Sequence, residues 1–360
     1  MSAVLFHNGR IHVGDGTSAE ALLARDGRVH TTGRATDLLR EHRDAERVDL
    51  RGGLMTSGWH DSHVHFTWWA IQMGQVDLRD EPSVEAALEK IRAYAATLPQ
   101  GAWVQGGRFD KNRWGRWPTA AELDRATAGR PAALRSRDGH ARWLNTAALR
   151  AAGIDASTVI PAGGAIERDA SGAPAGILKE NANGLADRVV PPPTADELFA
   201  AILLGQREAH RRGLTAIEDL EQSSAFDAFQ RQRDLGQLRI RVAMGIPHGS
   251  LEHALGLGLR SGLGDEWLRV GHLKLFTDGA LGSQTAALEE PYEGSSDRGL
   301  LTIDADRLAA DVLRASAGGI AVAIHAIGDR AVRVALDAIE PTRSAYPALR
   351  QRIEDRKSVV

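Results

Sequence analysis

Cysteine is absent from all 360 residues. That excludes disulfides, thiolate nucleophiles and Cys-ligated zinc, so any metal site must use imidazole, carboxylate or a less usual donor. Neither sign of charge dominates: Lys and Arg number 44 and Asp and Glu 47, a net charge of −3. Such a balance argues against a dedicated nucleic-acid binder. No apolar run reaches the roughly 18 residues of a membrane span. The opening MSAVLFHNGRIHVGDG lacks the pattern of a secretory signal, so a cytoplasmic location is the expectation. Gly-x-Ser-x-Gly, Walker and Gly-x-Gly-x-x-Gly motifs are missing, so serine-hydrolase and dinucleotide readings lack their signatures. What is present is an ordinary globular balance, 43% hydrophobic and 25% charged. It is ample for one large α/β domain with extras.

Residues 1–55 read as short strands joined by tight turns. Asn8-Gly9 and Asp26-Gly27 are hairpin signals, and a small antiparallel β unit is the economical expectation. Beyond it the pattern changes. Helical periodicity over Val84–Thr97 and Ala195–Arg212 alternates with short apolar strands. The strands are expected at Leu54–Trp59, Leu214–Glu218, Leu238–Gly245, Leu268–Phe276 and Ile320–His325. Strands alternating with helices imply parallel β/α units. Pro191-Pro192-Pro193 breaks the chain before a helix whose N-cap is Thr194. Residues 66–200 have the look of an insertion on the α/β body.

Three local patterns could carry chemistry. His63 and His65 are two apart after an apolar run, and on a continuous strand they share a face and can chelate one metal ion. Taken alone, two solvated histidines at a polar strand end is the commoner reading. Val270, His272, Lys274 and Phe276 alternate on one face of an apolar strand. A core-facing Lys is costly unless paired or modified, and a neutral one can take up carbon dioxide as a carbamate ligand. A Lys snorkelling from the strand end is the bland alternative. His325 closes a third strand before a Gly turn, which fits a ligand at a barrel's catalytic rim, although a lone His there is more often a hydrogen-bonded core residue. His140 could contact substrate or only satisfy its loop. Glu180 and Asp219 read as structural.

The order of these patterns, with LMTSGWHDSHVH, RFDKNRW, PTAAELD, RSRDGHARWLN, GLTAIED, HLKLFTDGALGSQTAALEEPY and AIHAIGDRAV, resembles the amidohydrolase superfamily. The resemblance is to its amidohydrolase-3 branch, which includes N-substituted formamide deformylases, and it runs through residues 1–354. It implies an α/β fold, a metal-dependent hydrolase (β/α)8 TIM barrel, with a β-sandwich portion at 1–55, the barrel over 56–354 and the insertion 66–200 within it. It implies His63, His65, Lys274 and His325 as metal ligands, acting in catalysis through the metal. The cofactor would be a divalent cation, two zinc ions in the usual pattern, with Lys274 a candidate for N6-carboxylation. His140 and Asp278 become candidate substrate contacts.

The pattern also asks for a His ending the sixth strand and an Asp ending the eighth. Arg352-Ile353-Glu354 is followed here by Asp355 and not by that His. The barrel is therefore expected to be incomplete, at about five and a half strands of the eight. Residues 355–360 read as a non-native tail, compatible with read-through into a sequencing adapter. Glu354 is expected to face away from the site. The function implied is hydrolysis of a non-peptide C–N bond, in an amide or N-substituted formamide, by metal-activated water. Two alternatives stand beside it: an inactive truncated fragment or metal-binding pseudoenzyme, and a cyclic amide or ester hydrolase on the same scaffold. The chain as written is expected to be inactive or nearly so. The expected partner is a small-molecule substrate, with no nucleic acid and no membrane, and a homodimer is one option for a full-length parent.

Overall fold

The computed structural model describes every residue except 1, 2, 15, 138, 140, 162, 163, 221, 222, 280, 282–284 and 357–360. The chain divides into two compact units, residues 1–61 with 213–216, and residues 62–212 with 217–360.

The first unit holds two small sheets. One has the order Arg28–Gly33, Ala21–Arg25, Ala3–His7, Glu46–Asp49, and the other Thr17–Ala19, Arg10–Gly14, Leu54–Met55. Leu5, Leu23 and Leu38 are buried at its centre. Asp26-Gly27 does make a hairpin, with Ala21–Arg25 antiparallel to Arg28–Gly33. Asn8-Gly9 does not. There the chain leaves one sheet for the other, and Ala3–His7 instead pairs with Ala21–Arg25 and, in parallel, with Glu46–Asp49. The turn is pinned by a distant segment rather than by its own flanks. The Asn8 amide donates to Asp49, Gly52 N–H donates to the Asn8 carbonyl, and a Cβ on Gly9 would lie 2.6 Å from the Gly53 oxygen.

A six-stranded sheet, most of it in the second unit, has neighbours that run in chain order: Trp59–Val64, Leu214–Asp219, Arg241–Pro247, Leu268–Phe276, Val322–His325 and Arg352–Glu354. The last four are parallel. A strand order that never reverses belongs to a barrel, because an open doubly wound sheet reverses at its switch point. The two edge strands are bridged across the interior, since the Arg352 guanidinium on the last strand donates to the Ser62 carbonyl on the first. The outer face is apolar: Leu273, Leu275, Val322 and Ile324 are buried with Leu308 and Val312 of helix Ala305–Ala317 and Ala335 and Ile339 of helix Asp329–Ala345.

The first barrel strand lies five residues later than the apolar run suggested. Leu54–Met55 joins the small sheet beside Arg10–Gly14, and Trp59–Val64 takes the barrel position. Between the first two barrel strands, residues 76–180 form a mixed sheet with the order Gly164–Arg168, Pro174–Glu180, Ala141–Leu144, Ala132–Ser136, Val104–Phe109, Val76–Asp77. Its core is aromatic, with Phe109 stacked on Trp114 at 5.5 Å and edge-on to Trp143 at 6.0 Å. Thr194 caps helix Ala195–Arg211 through a reciprocal bond set with Glu197.

Candidate metal centre

The first strand ends one residue short of the second histidine. His65 is the N-cap of helix Phe66–Met73, at φ −90° and ψ 65°, so His63 and His65 do not share a strand face. Their rings are 6.1 Å apart and nearly perpendicular. The turn is set from the neighbouring strand. Asp219 is fully buried, and it accepts the Phe66 N–H at 3.0 Å and the Thr67 hydroxyl. A carboxylate at a helix N-terminus satisfies donors the helix cannot and suits its dipole. Asp219, read as structural, is therefore what aims His65.

Lys274 enters from the fourth strand. The pairing register slips between Met244 and Ile246, with one extra residue on the Lys274 strand around Gly271-His272. The bulge changes which residues face inward. Val270 joins Leu273 and Leu275 in the outer apolar cluster, so it does not share a face with Lys274. A Cβ on Gly271 would lie 3.3 Å from Glu218 Oε1, and His272 bonds to that carboxylate, so both face inward. The Lys274 side chain is 4% exposed, and its Nζ donates to Glu354 Oε2 at 2.7 Å.

Glu354 faces into the site, contrary to expectation. Strand alternation explains it: Ile353 packs on the outer apolar cluster, which turns Arg352 and Glu354 inward. Glu354 Oε2 also lies 3.0 Å from His63 Nδ1. Burial pushes the Glu354 carboxyl up, but the bonds and charges of His63 and Lys274 outweigh it and hold the group at about 2. Asp355, taken above as the start of a tail, sits in the same cluster. It stands at φ +62°, with Oδ2 2.7 Å from His325 Nδ1 and Oδ1 3.5 Å from His63 Nε2. His325 Nε2 is 3.0 Å from the Gly279 carbonyl.

Below this layer the interior is ionic. Glu218 accepts from His272 and from Arg352 Nη1, the latter at 2.8 Å, and Arg352 Nη2 donates to Glu354. Sequence reasoning missed Glu218, Arg352, Glu354 and Asp355. The period-2 pair Arg352 and Glu354 on a short strand was the available signal.

Asp278 takes no open position. Its carboxylate is buried and accepts the N–H groups of Ala287, Ile327 and Gly328 at 2.8–3.0 Å, so it ties two loops together. His140 lies outside the described residues, as does the side chain of Glu180.

His63, His325, Lys274, Glu354 and Asp355 thus meet at one end of the sheet, with the His65 ring 6.1 Å from that of His63, side chains of the kinds that divalent metals use. Hydrogen bonds to Glu354 and Asp355 hold this cluster together. Among the described residues no three His, Asp or Glu groups are arranged to hold an ion.

A family profile described as "Amidohydrolase family" matches residues 46–359. The chain belongs to the amidohydrolase family. A Bacillus subtilis protein described as "Putative amidohydrolase YtcJ" is 32% identical over 93% of this chain and 65% of its own length. The N-substituted formamide deformylase of Arthrobacter pascens is 30% identical over 90% of this chain and 63% of its own. An uncharacterized metal-dependent hydrolase from Pyrococcus furiosus superposes with a TM-score of 0.80 at 27% identity, over 98% of this chain and 72% of that one. This amidohydrolase chain therefore spans under two thirds of the length of these two curated relatives. No helix among the described residues is long and apolar enough to cross a membrane.

Proposed function

We propose that this amidohydrolase is a metal-dependent hydrolase of a non-peptide C–N bond, in an amide or N-substituted formamide. The observation that supports the reading is that His63, Lys274 and His325 share the partners Glu354 and Asp355 at one end of the barrel strands, with the His65 ring 6.1 Å from that of His63. His63, His65 and His325 would hold the cation, two zinc ions in the family's usual arrangement, with Lys274 as its carbamate. A bound divalent cation would supply Lewis acidity to the scissile carbonyl and acidify water near neutral pH. The protein's own groups do the positioning. Asp219 fixes the turn that carries His65, and Asp355 orients the His325 ring. Asp278 ties the loops on either side of His325.

One observation favours a second reading, a catalytically silent metal-free chain. The Lys274 Nζ donates to Glu354 Oε2 at 2.7 Å, and that contact occupies the space a carbamate on the same nitrogen would need. Elemental analysis of metal-loaded protein separates the two. The first reading expects stoichiometric divalent metal, lost in His63→Asn and His325→Asn, and chelator-sensitive turnover of N-formyl or N-acyl amines. Protein that retains no metal after loading would support the silent chain.

A further inference from the structure

The insertion holds a cavity of about 570 Å³, within the range of small-molecule sites. Four arginines line it, Arg108, Arg135, Arg137 and Arg142, against two acidic residues, Asp77 and Asp187. Asp77 is already engaged by the backbone N–H and guanidinium of Arg79. Asp187 is shared between Arg142 and, at 3.7 Å, Arg135. Arg137 lies 3.9 Å from Asp110, which is outside the lining, so the wall itself is short of negative charge.

Two details mark this wall. The Arg142 side chain is 5% exposed, yet its Nε has no hydrogen-bond partner. A buried, unsatisfied donor is rare enough to need a cause. Burial, and then the charge of Arg135, lowers the Arg142 pKa despite Asp187. Arg108 is the extra residue where pairing with the next strand slips, between Gly107 and Phe109, and it stands at φ +68°. Gly106 and Gly107 before it, at φ +137° and +129°, would drive a Cβ to 2.2 and 2.1 Å from the Val76 and Arg135 backbones. A bulge re-aims a side chain, and left-handed backbone at a non-glycine residue persists only where the surroundings impose it.

The lining also includes apolar groups, among them Ile71, Val190 and Trp68, which is 48% exposed. Trp68 lies three residues after His65, about 5 Å along the chain at helical rise. We propose that this cavity seats an anionic head group, a carboxylate or a phosphate, on the apolar body of the substrate. The assignment to substrate rests on the amide-hydrolase reading above; the anion site itself does not. Guanidiniums bind such oxyanions through paired charge-assisted hydrogen bonds.

Calorimetric titration of the 360-residue chain, with EDTA present, tests the site without any metal. The probes are phenylacetate, phenyl phosphate and neutral phenylacetamide. At least one acid should bind, tenfold or more tighter than the amide, and added salt should weaken it. The tighter acid names the head group. Arg108→Gln, at a partly exposed position, and Arg137→Gln, at an exposed one, should each weaken it about tenfold. Equal affinity for the neutral amide, no binding by any probe, or unchanged affinity in both variants would overturn the site. A second arm compares turnover of N-formylphenylalanine and N-formylphenethylamine by metal-loaded protein. Anion binding with no turnover of either would sink the amide-hydrolase reading and leave the anion site. Turnover with no preference for the acid would overturn its assignment to substrate.

Discussion

Replacing Glu354 by Gln removes one charge from the centre of the barrel and changes little else in shape. The carboxyl is held at about 2 against an ordinary 4.5, and its side chain is 6% exposed, so solvent screens little of the effect. That depression corresponds to about 3 kcal/mol of stabilisation at neutral pH. It agrees with the roughly 3–5 kcal/mol lost when one partner of a buried ion pair is removed. Gln can still accept from Lys274, which places the expected loss near the lower figure. Because the folded pKa is depressed, the contribution is present above about pH 4.5 and is lost as the pH falls through about 2. Urea titrations of wild type and Glu354→Gln should therefore differ by about 3 kcal/mol at pH 7 and converge towards pH 2. A difference under about 0.5 kcal/mol at pH 7, or one that acid leaves unchanged, would refute the ionic account of the interior.

Two further substitutions test the scaffold around the site. Asp219→Ala leaves the Phe66 N–H and the Thr67 hydroxyl without their buried acceptor. It should cost about 2–4 kcal/mol in urea unfolding and lower metal affinity about 10–100-fold by calorimetry. Gly107→Ala combines φ +129° with a Cβ 2.1 Å from the Arg135 oxygen, whereas Gly129→Ala has φ +78° and open space. The first should cost at least about 3 kcal/mol and the second about 1 kcal/mol, so comparable melting temperatures would contradict the close approach of the strands.

Much of the frame was legible because local chemistry and tertiary structure agree there. Val84–Thr97 is helical as its apolar spacing indicates, and Leu268–Phe276 is the strand its alternation suggests. Illegible features depend on partners far along the chain. Asn8-Gly9 has hairpin chemistry, but residues 49–53 decide where its flanks go. Leu54–Met55 is apolar enough for a barrel strand and is claimed by Arg10–Ile11 instead. His65 looked like a strand residue because nothing local shows that Asp219 ends the strand there. The bulge at Gly271-His272 placed Lys274 correctly and Val270 wrongly. Glu354 was misjudged by analogy, where its spacing from Ile353 and Arg352 already gave its face.

The ionic interior also bears on when the barrel can form. Glu218 leaves the ribosome 134 residues before Arg352, and Lys274 leaves 80 residues before Glu354. At synthesis rates of about 5–20 residues per second, those charges wait roughly 4–27 s for their partners. Until then a closed barrel would bury them unpaired, so the nascent sheet is held open by the cost of its own core. The insertion waits less, since Phe109, Trp114 and Trp143 lie within one short stretch and its buried Arg142 meets Asp187 45 residues later. It should become compact first, on a barrel still incomplete. Pulse proteolysis of arrested nascent chains would show protection around Trp143 well before Lys274, and simultaneous protection would contradict this order.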